Sequence, residues 1–177
     1  MGDVTETRKL LFLLRHADAG RGAAGQRDRD RPLSARGERE AAAIGDFLKS
    51  RSETLDRVLC SGALRARQTL SGLLAVVGSS VETDISDALY LAEPTEILRA
   101  IRDVPEPAAS ILVVGHNPGI AELVGGLVAS AEPEAEAAFR PNFPPASLAL
   151  LSFDGPWRTL GGNSCHLQAF TAPRRPN

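Results

Sequence analysis

Leu10-Leu11-Phe12-Leu13-Leu14 is an unbroken apolar run that stops abruptly at Arg15-His16, and no other stretch constrains the fold as tightly. A short run without polar alternation fits a strand covered on both faces, the condition of a central strand in a parallel sheet. Arginine and histidine cannot follow such a strand into the core without partners. In an open α/β sheet, ligands bind beyond the carboxyl ends of the strands, which is where this pair falls. Arginine brings fixed positive charge; histidine brings a nitrogen that serves as nucleophile, acid or base near neutral pH. The pair points to phosphate chemistry.

The pattern that follows alternates strand and helix. Lys9–Leu14 reads as the first strand, and residues 15–33 as a loop that includes Arg27-Asp28-Arg29-Asp30-Arg31. Ser34 suits an N-cap for a helix to about Lys49, with Ala41, Ile44, Phe47 and Leu48 on one apolar face. Arg57–Cys60 is β-like, Ser61-Gly62 breaks it, and a helix is expected from Ala63 to Val77, then a strand at Val81–Ile85. Pro94 opens a helix to Arg102. Ser110–Gly115 is a second strongly apolar strand, ending in His116-Asn117-Pro118-Gly119 before a helix to about Val128. Residues 129–146, rich in Ala, Glu and Pro, read as a mobile excursion. Ser147–Phe153 is a clear strand; Arg158–Leu160 and Leu167–Phe170 are weaker, with a hairpin turn expected at Asp154-Gly155. The expected fold is a single-domain (1–177) three-layer α/β/α sandwich with a mostly parallel sheet and an antiparallel edge near the C-terminus.

Composition narrows the function. At 177 residues, 43% hydrophobic and 24% charged, the chain has the make-up of a soluble globular protein. A net charge of −2 gives no case for nucleic acid or an anionic membrane as partner. Of 20 basic residues only Lys9 and Lys49 are lysines, and arginine suits bidentate phosphate contacts. Cys60 and Cys165 lack zinc or redox spacing, which fits a reduced, cytoplasmic setting. The start, Met-Gly-Asp-Val-Thr-Glu-Thr, lacks the features of a signal peptide, and no apolar run approaches the roughly 20 residues of a membrane span. Neither a G-x-G-x-x-G nor a P-loop follows the first strand, which sets aside a nucleotide-binding or redox protein. His16, His116 and His166 show no metal-ligand spacing, so neither a metal nor a cofactor is expected, and His166 reads as structural.

Arg15 and His16 follow the first strand, Arg65 the second, and His116 the strand at Ser110–Gly115. Each alone has an ordinary explanation as a core histidine, a turn residue or a solvated helix face. Parallel strands, however, would send all of them to one sheet edge. Leu14-Arg15-His16-Ala17, Ser61-Gly62-Ala63-Leu64-Arg65-Ala66-Arg67-Gln68-Thr69 and Gly115-His116-Asn117-Pro118 together resemble the histidine phosphatase superfamily, branch 1. The compact length is similar to its SixA-type branch of phosphohistidine phosphatases, and Asp30-Arg31-Pro32-Leu33-Ser34, Leu89-Tyr90 and Ala146-Ser147-Leu148-Ala149 add to the likeness.

The resemblance implies a phosphoglycerate-mutase-like fold and a metal-independent phosphatase. It implies His16 as nucleophile, with Arg15, Arg65 and a protonated His116 around the phosphoryl oxygens. Asn117 and Pro118 would open a helix whose amides add an anion-stabilising dipole, and Arg31 would be a further phosphate contact, with Asp18 and Asp28 orienting the arginines. Larger members carry a glutamate that protonates the leaving oxygen. Here Asp87, Glu93 and Glu96 lie in that region outside its Gly-x-x-Glu-Gly context, so Asp18, Asp87, Glu93, Glu96 or no residue could hold that role. A site without a placed acid suits N-phosphorylated histidine or another good leaving group. The short chain leaves little room for a cap, so a shallow, open pocket and a phosphorylated protein as partner are expected, with a small phosphate ester or a non-catalytic phosphate-binding role as alternatives. A monomer is expected.

Overall fold

The computed structural model describes residues 8–78 and 80–173. Its elements are β1 (Arg8–Arg15), α1 (Ala35–Ser50), β2 (Arg57–Ser61), α2 (Leu64–Val77), β3 (Glu82–Ser86), α3 (Pro94–Arg102), β4 (Ser110–Gly115), α4 (Gly119–Leu127), β5 (Val128–Ala131), α5 (Pro133–Ala138), β6 (Leu148–Asp154) and β7 (Cys165–Thr171). The strands form a 7-stranded sheet in the order β3-β2-β4-β1-β6-β7-β5.

β1 takes the central place that its apolar run demands. It pairs in parallel with β4, Arg15 opposite Gly115, and antiparallel with β6. Alternate β1 side chains serve opposite cores. Phe12 and Leu14 pack with Ala41, Ile44 and Leu48 of α1 and Leu70 and Leu73 of α2. Leu11 and Leu13 pack with Ile97 and Ile101 of α3 and Leu123 and Val124 of α4. That alternation is the pleat of a strand buried on both sides, and it makes the three-layer α/β architecture.

The antiparallel element is β6, and it lies inside the sheet rather than at its margin. β7 runs antiparallel to β6 and β5 parallel to β7, so the sheet continues past it. Residues 129–146 are not the featureless excursion expected from their composition. They hold the end of β5 and the short helix α5, whose Ala135 is buried. Arg158–Leu160 is not a strand, and Asp154-Gly155 does not close a hairpin onto it. Trp157–Thr159 form a 3-10 turn, because Trp157 is fully buried with its Nε1–H donated to the Ala108 carbonyl at 2.8 Å. Seating that ring turns the chain inward before β7 begins.

Ser34 caps α1 as its sequence suggests, its Oγ accepting the Gly37 amide at 3.0 Å. Gly37 is required there: a Cβ would lie 2.0 Å from the Asp18 carbonyl oxygen. This close approach folds the 16–34 loop back over the carboxyl end of β1. Among the described residues no helix is long and apolar enough to cross a membrane.

Candidate active site

Because β1, β2 and β4 run parallel, their carboxyl ends share one edge, and the expected side chains meet there. His16 follows β1 and is 9% exposed; Arg65, in the first turn of α2, is 4% exposed; His116 follows β4 and is 2% exposed. The His16 and His116 ring centroids are 5.0 Å apart.

Hydrogen bonds fix the His16 tautomer. Its Nδ1 lies 2.8 Å from the Ala17 carbonyl, which can only accept, so Nδ1 carries the proton. The lone pair is therefore on Nε2, where Arg65 Nε–H donates at 3.2 Å. Burial, reinforced by Arg65, Arg15 and Arg31 and partly offset by the Ala17 carbonyl, pushes the His16 pKa down to about 4. The segment is braced by Thr69, whose Oγ1 accepts the Ala17 amide at 3.0 Å and donates to the Arg65 carbonyl at 2.7 Å.

His116 presents its Nδ1 to the cluster, 3.5 Å from Arg65 Nη2. Arginine only donates, so Nε2 carries the proton and bonds Ser61 Oγ at 2.7 Å. Sequence reasoning expected a protonated His116. In the cluster as it stands, with no anion bound, burial, then His16 and Arg65, push its pKa down to about 3.

Arg65 is the hub. Its Nη1 and Nη2 donate to the Asp28 carbonyl at 2.7 Å and to Asp28 Oδ2 at 2.9 Å. Arg15 donates through Nη1 to the Phe143 carbonyl at 2.9 Å, while its buried Nε–H finds no hydrogen-bond partner among the described residues. Asn117 gives its amide hydrogens to the Asn142 and Phe143 carbonyls at 3.1 and 3.0 Å, so it holds the loop that meets Arg15. Arg31 donates to the Gly20 carbonyl and to Asp28 Oδ1, and its charge is felt at His16.

The carboxylates sort themselves clearly. Asp28 orients Arg31 and Arg65, as the sequence suggested, but among the described residues Asp18 orients no arginine: its Oδ2 accepts Ser34 Oγ–H at 2.6 Å beside the α1 cap. Asp87 pairs with Arg29 at 2.6 Å, and Glu93 and Glu96 form the capping box of α3. The His16, Arg65 and His116 side chains at the floor of the site are buried, while the Asp28 side chain at its rim is 47% exposed. His166 links β7 to β5, bonding Ser130 Oγ at 2.8 Å and Glu132 Oε1 at 3.0 Å.

Two contributors escaped the sequence reading as site residues. Ser61 appeared only as a strand breaker and as the first residue of the Ser61–Thr69 motif, although a small hydroxyl ending a buried strand beside the histidines was a usable signal. Tyr90 donates its hydroxyl to Asp28 Oδ2 at 2.6 Å and stands edge-on to His116 at 5.4 Å. Nothing local in its sequence foretells that.

A family model described as histidine phosphatase superfamily (branch 1) matches residues 11–89, which include Arg15, His16 and Arg65. The Escherichia coli K12 protein named phosphohistidine phosphatase SixA is 30% identical over 158 residues, covering 81% of this chain and 85% of that protein. The chain belongs to the histidine phosphatase superfamily, branch 1. Solved structures carry the likeness through β4 and the rest of the sheet. A Nakamurella multipartita protein ascribed to SixA is 34% identical with a TM-score of 0.78, covering 94% of this chain and 96% of that one. A protein histidine phosphatase SixA complexed with tungstate is 25% identical with a TM-score of 0.74, covering 92% and 96%. Both share the histidine phosphatase architecture described above, with its phosphoglycerate-mutase-like sheet.

Proposed function

We propose that this chain is a metal-independent phosphatase that takes the phosphoryl group onto His16 Nε2 and then gives it to water, acting on phosphohistidine in proteins. The observation that carries the reading is the His16 ring itself, with Nδ1–H committed to Ala17 and the Nε2 lone pair turned toward Arg65. A neutral imidazole with an unprotonated nitrogen is a competent nucleophile near pH 7, and phosphoryl oxygens that take over the Arg65 Nε–H release the Nε2 lone pair for attack. The phosphoryl oxygens meet Arg65 and the unspent Nε–H of Arg15, which supply the positive charge that such a transfer needs. His116 joins them: a bound dianion raises its proton affinity, so the ring takes up a proton on Nδ1 with the substrate rather than before it.

In the first step a P–Nε2 bond to His16 forms as the bond to the leaving group breaks. When the leaving group is itself an imidazole, donor and acceptor are chemically alike, so the transfer is close to balanced and makes little demand on a general acid. The carboxylates support this. Asp87, Glu93 and Glu96 are committed to Arg29 and to the α3 cap, and Asp28 is held far below the usual carboxylate range by Tyr90, Arg31 and Arg65. Asp28, the carboxylate at the cluster, is thus not a proton donor for an alkoxide. The SixA names of the relatives favour the same substrate class.

The test is phosphate release from a phosphohistidine-bearing carrier protein beside p-nitrophenyl phosphate, for wild type and His16→Ala. Rapid loss from the carrier that disappears in the variant supports nucleophile and substrate together. Turnover of the aryl phosphate alone keeps His16 as nucleophile and overturns the protein substrate. Turnover that survives His16→Ala overturns the mechanism.

A further inference from the structure

Asp28 has a role that holding arginines does not exhaust. Its Oδ1 accepts Arg31 at 2.8 Å, and its Oδ2 accepts Arg65 at 2.9 Å and Tyr90 at 2.6 Å. A carboxylate offers about four acceptor directions, so one is unspent on a side chain that is 47% exposed. Arg65 spans the distance inward, with Nε on His16 Nε2 and Nη2 on Asp28 Oδ2. The carboxylate is therefore one guanidinium from the nucleophile, anchored on three sides and open at the rim. Tyr90 ties it to the wall formed by His116.

We infer that Asp28 selects the leaving group, accepting the N–H of a protonated phosphoimidazole ring and disfavouring groups that depart as anions. This rests on the reading of His16 as nucleophile. Beside a fixed negative charge, a phosphorylated imidazole gains proton affinity at its distal nitrogen. The proton comes from solvent, and the cationic ring donates it as a hydrogen bond to Asp28. As the P–N bond breaks, its electron pair stays on the ring nitrogen and the phosphoryl group passes to His16 Nε2. The imidazole leaves neutral, still carrying the distal proton, and Asp28 remains a carboxylate throughout. An ester oxygen gathers negative charge as it leaves, and the same carboxylate repels it. Asp28 is not the proton donor, because Tyr90, Arg31 and Arg65 keep it ionised.

The experiment compares kcat/KM for 1-phosphoimidazole and p-nitrophenyl phosphate at pH 8 in wild type and Asp28→Asn, with orthovanadate inhibition as a measure of Arg65 placement. The expected result is a drop of about tenfold in the ratio of phosphoimidazole to aryl phosphate, the scale of one charge-assisted hydrogen bond, beyond whatever loss both substrates share and vanadate inhibition registers through Arg65. A parallel fall on both substrates with weakened vanadate inhibition would reduce Asp28 to an anchor for Arg65 and overturn the inference. An unchanged ratio overturns it as well. Wild type alone tests the underlying reading: if it turns over the aryl phosphate through His16 and leaves phosphoimidazole untouched, the phosphohistidine substrate fails and the selection role fails with it.

Discussion

Ser61 Oγ sits 2.7 Å from His116 Nε2, and this contact decides which nitrogen of the ring faces His16 and Arg65. Ser61 is fully buried at the end of β2, so no side-chain motion can substitute for it. Ser61→Ala frees the ring to change tautomer, and kcat on p-nitrophenyl phosphate is expected to fall about tenfold, the scale of one buried hydrogen bond. Steady-state kinetics on a variant whose thermal midpoint is close to wild type checks it; unchanged kcat would show that Ser61 does not orient the ring.

Asn117 acts on Arg15 through one shared acceptor, the Phe143 carbonyl. In Asn117→Ala the loop loses that tether and Arg15 its fixed direction. KM for p-nitrophenyl phosphate should rise about 3- to 10-fold with a smaller change in kcat, the pattern of lost ground-state binding. A fall in kcat at constant KM would argue instead that Asn117 serves the transition state directly.

His16 and His116, with folded pKa values of about 4 and about 3 against an ordinary 6.5, bind protons more readily in the unfolded chain than in the folded one. Above the ordinary value neither state is protonated and they add nothing to the pH dependence. As pH falls from there toward the folded values, only the unfolded state takes up the protons. Stability should then drop by up to about 1.4 kcal/mol per pH unit for each histidine. Urea denaturation at pH 7.5 and pH 5 measures this, and a His16→Asn, His116→Asn double variant should show a shallower dependence.

Gly37 lies where α1 meets the loop that follows β1, with no space for a methyl group beside the Asp18 carbonyl. Gly37→Ala is expected to cost about 2 kcal/mol through forced backbone displacement, despite the better helix propensity of alanine. Chemical denaturation reads the loss directly. A neutral or stabilising effect would show that the loop yields freely.

How much of this was legible before the structure depended on the range of the interactions. The β1 run, the Ser34 cap and the Pro94 start of α3 are local signals, and each element forms where its residues indicate. Arg15, His16, Arg65 and His116 were readable because each ends or follows a strand, and parallel pairing brings strand ends together. Asp18 and Asp28 looked equivalent in sequence, yet one meets Ser34 and the other Arg65, because the contact of Asp18 with the start of α1 and the course of the intervening loop, both tertiary, decide which carboxylate faces the cluster. The charge state of His116 depends on burial and on neighbouring rings, which no local window contains. Residues 129–146 misled for a related reason: an Ala- and Glu-rich segment has weak periodicity, and it is ordered by packing of Ala135 and Phe139 near β7. Trp157 likewise turns the chain inward to reach Ala108, far away in sequence.

His16, Arg65 and His116 come from parts of the chain separated by 49 and 51 residues, each delivered by a different strand of the same sheet. The cluster comes into being only once β1, β2 and β4 have paired, so the reactivity proposed for His16 requires long-range closure and not a local segment. A colorimetric rate would therefore count the molecules in which these three strands have assembled.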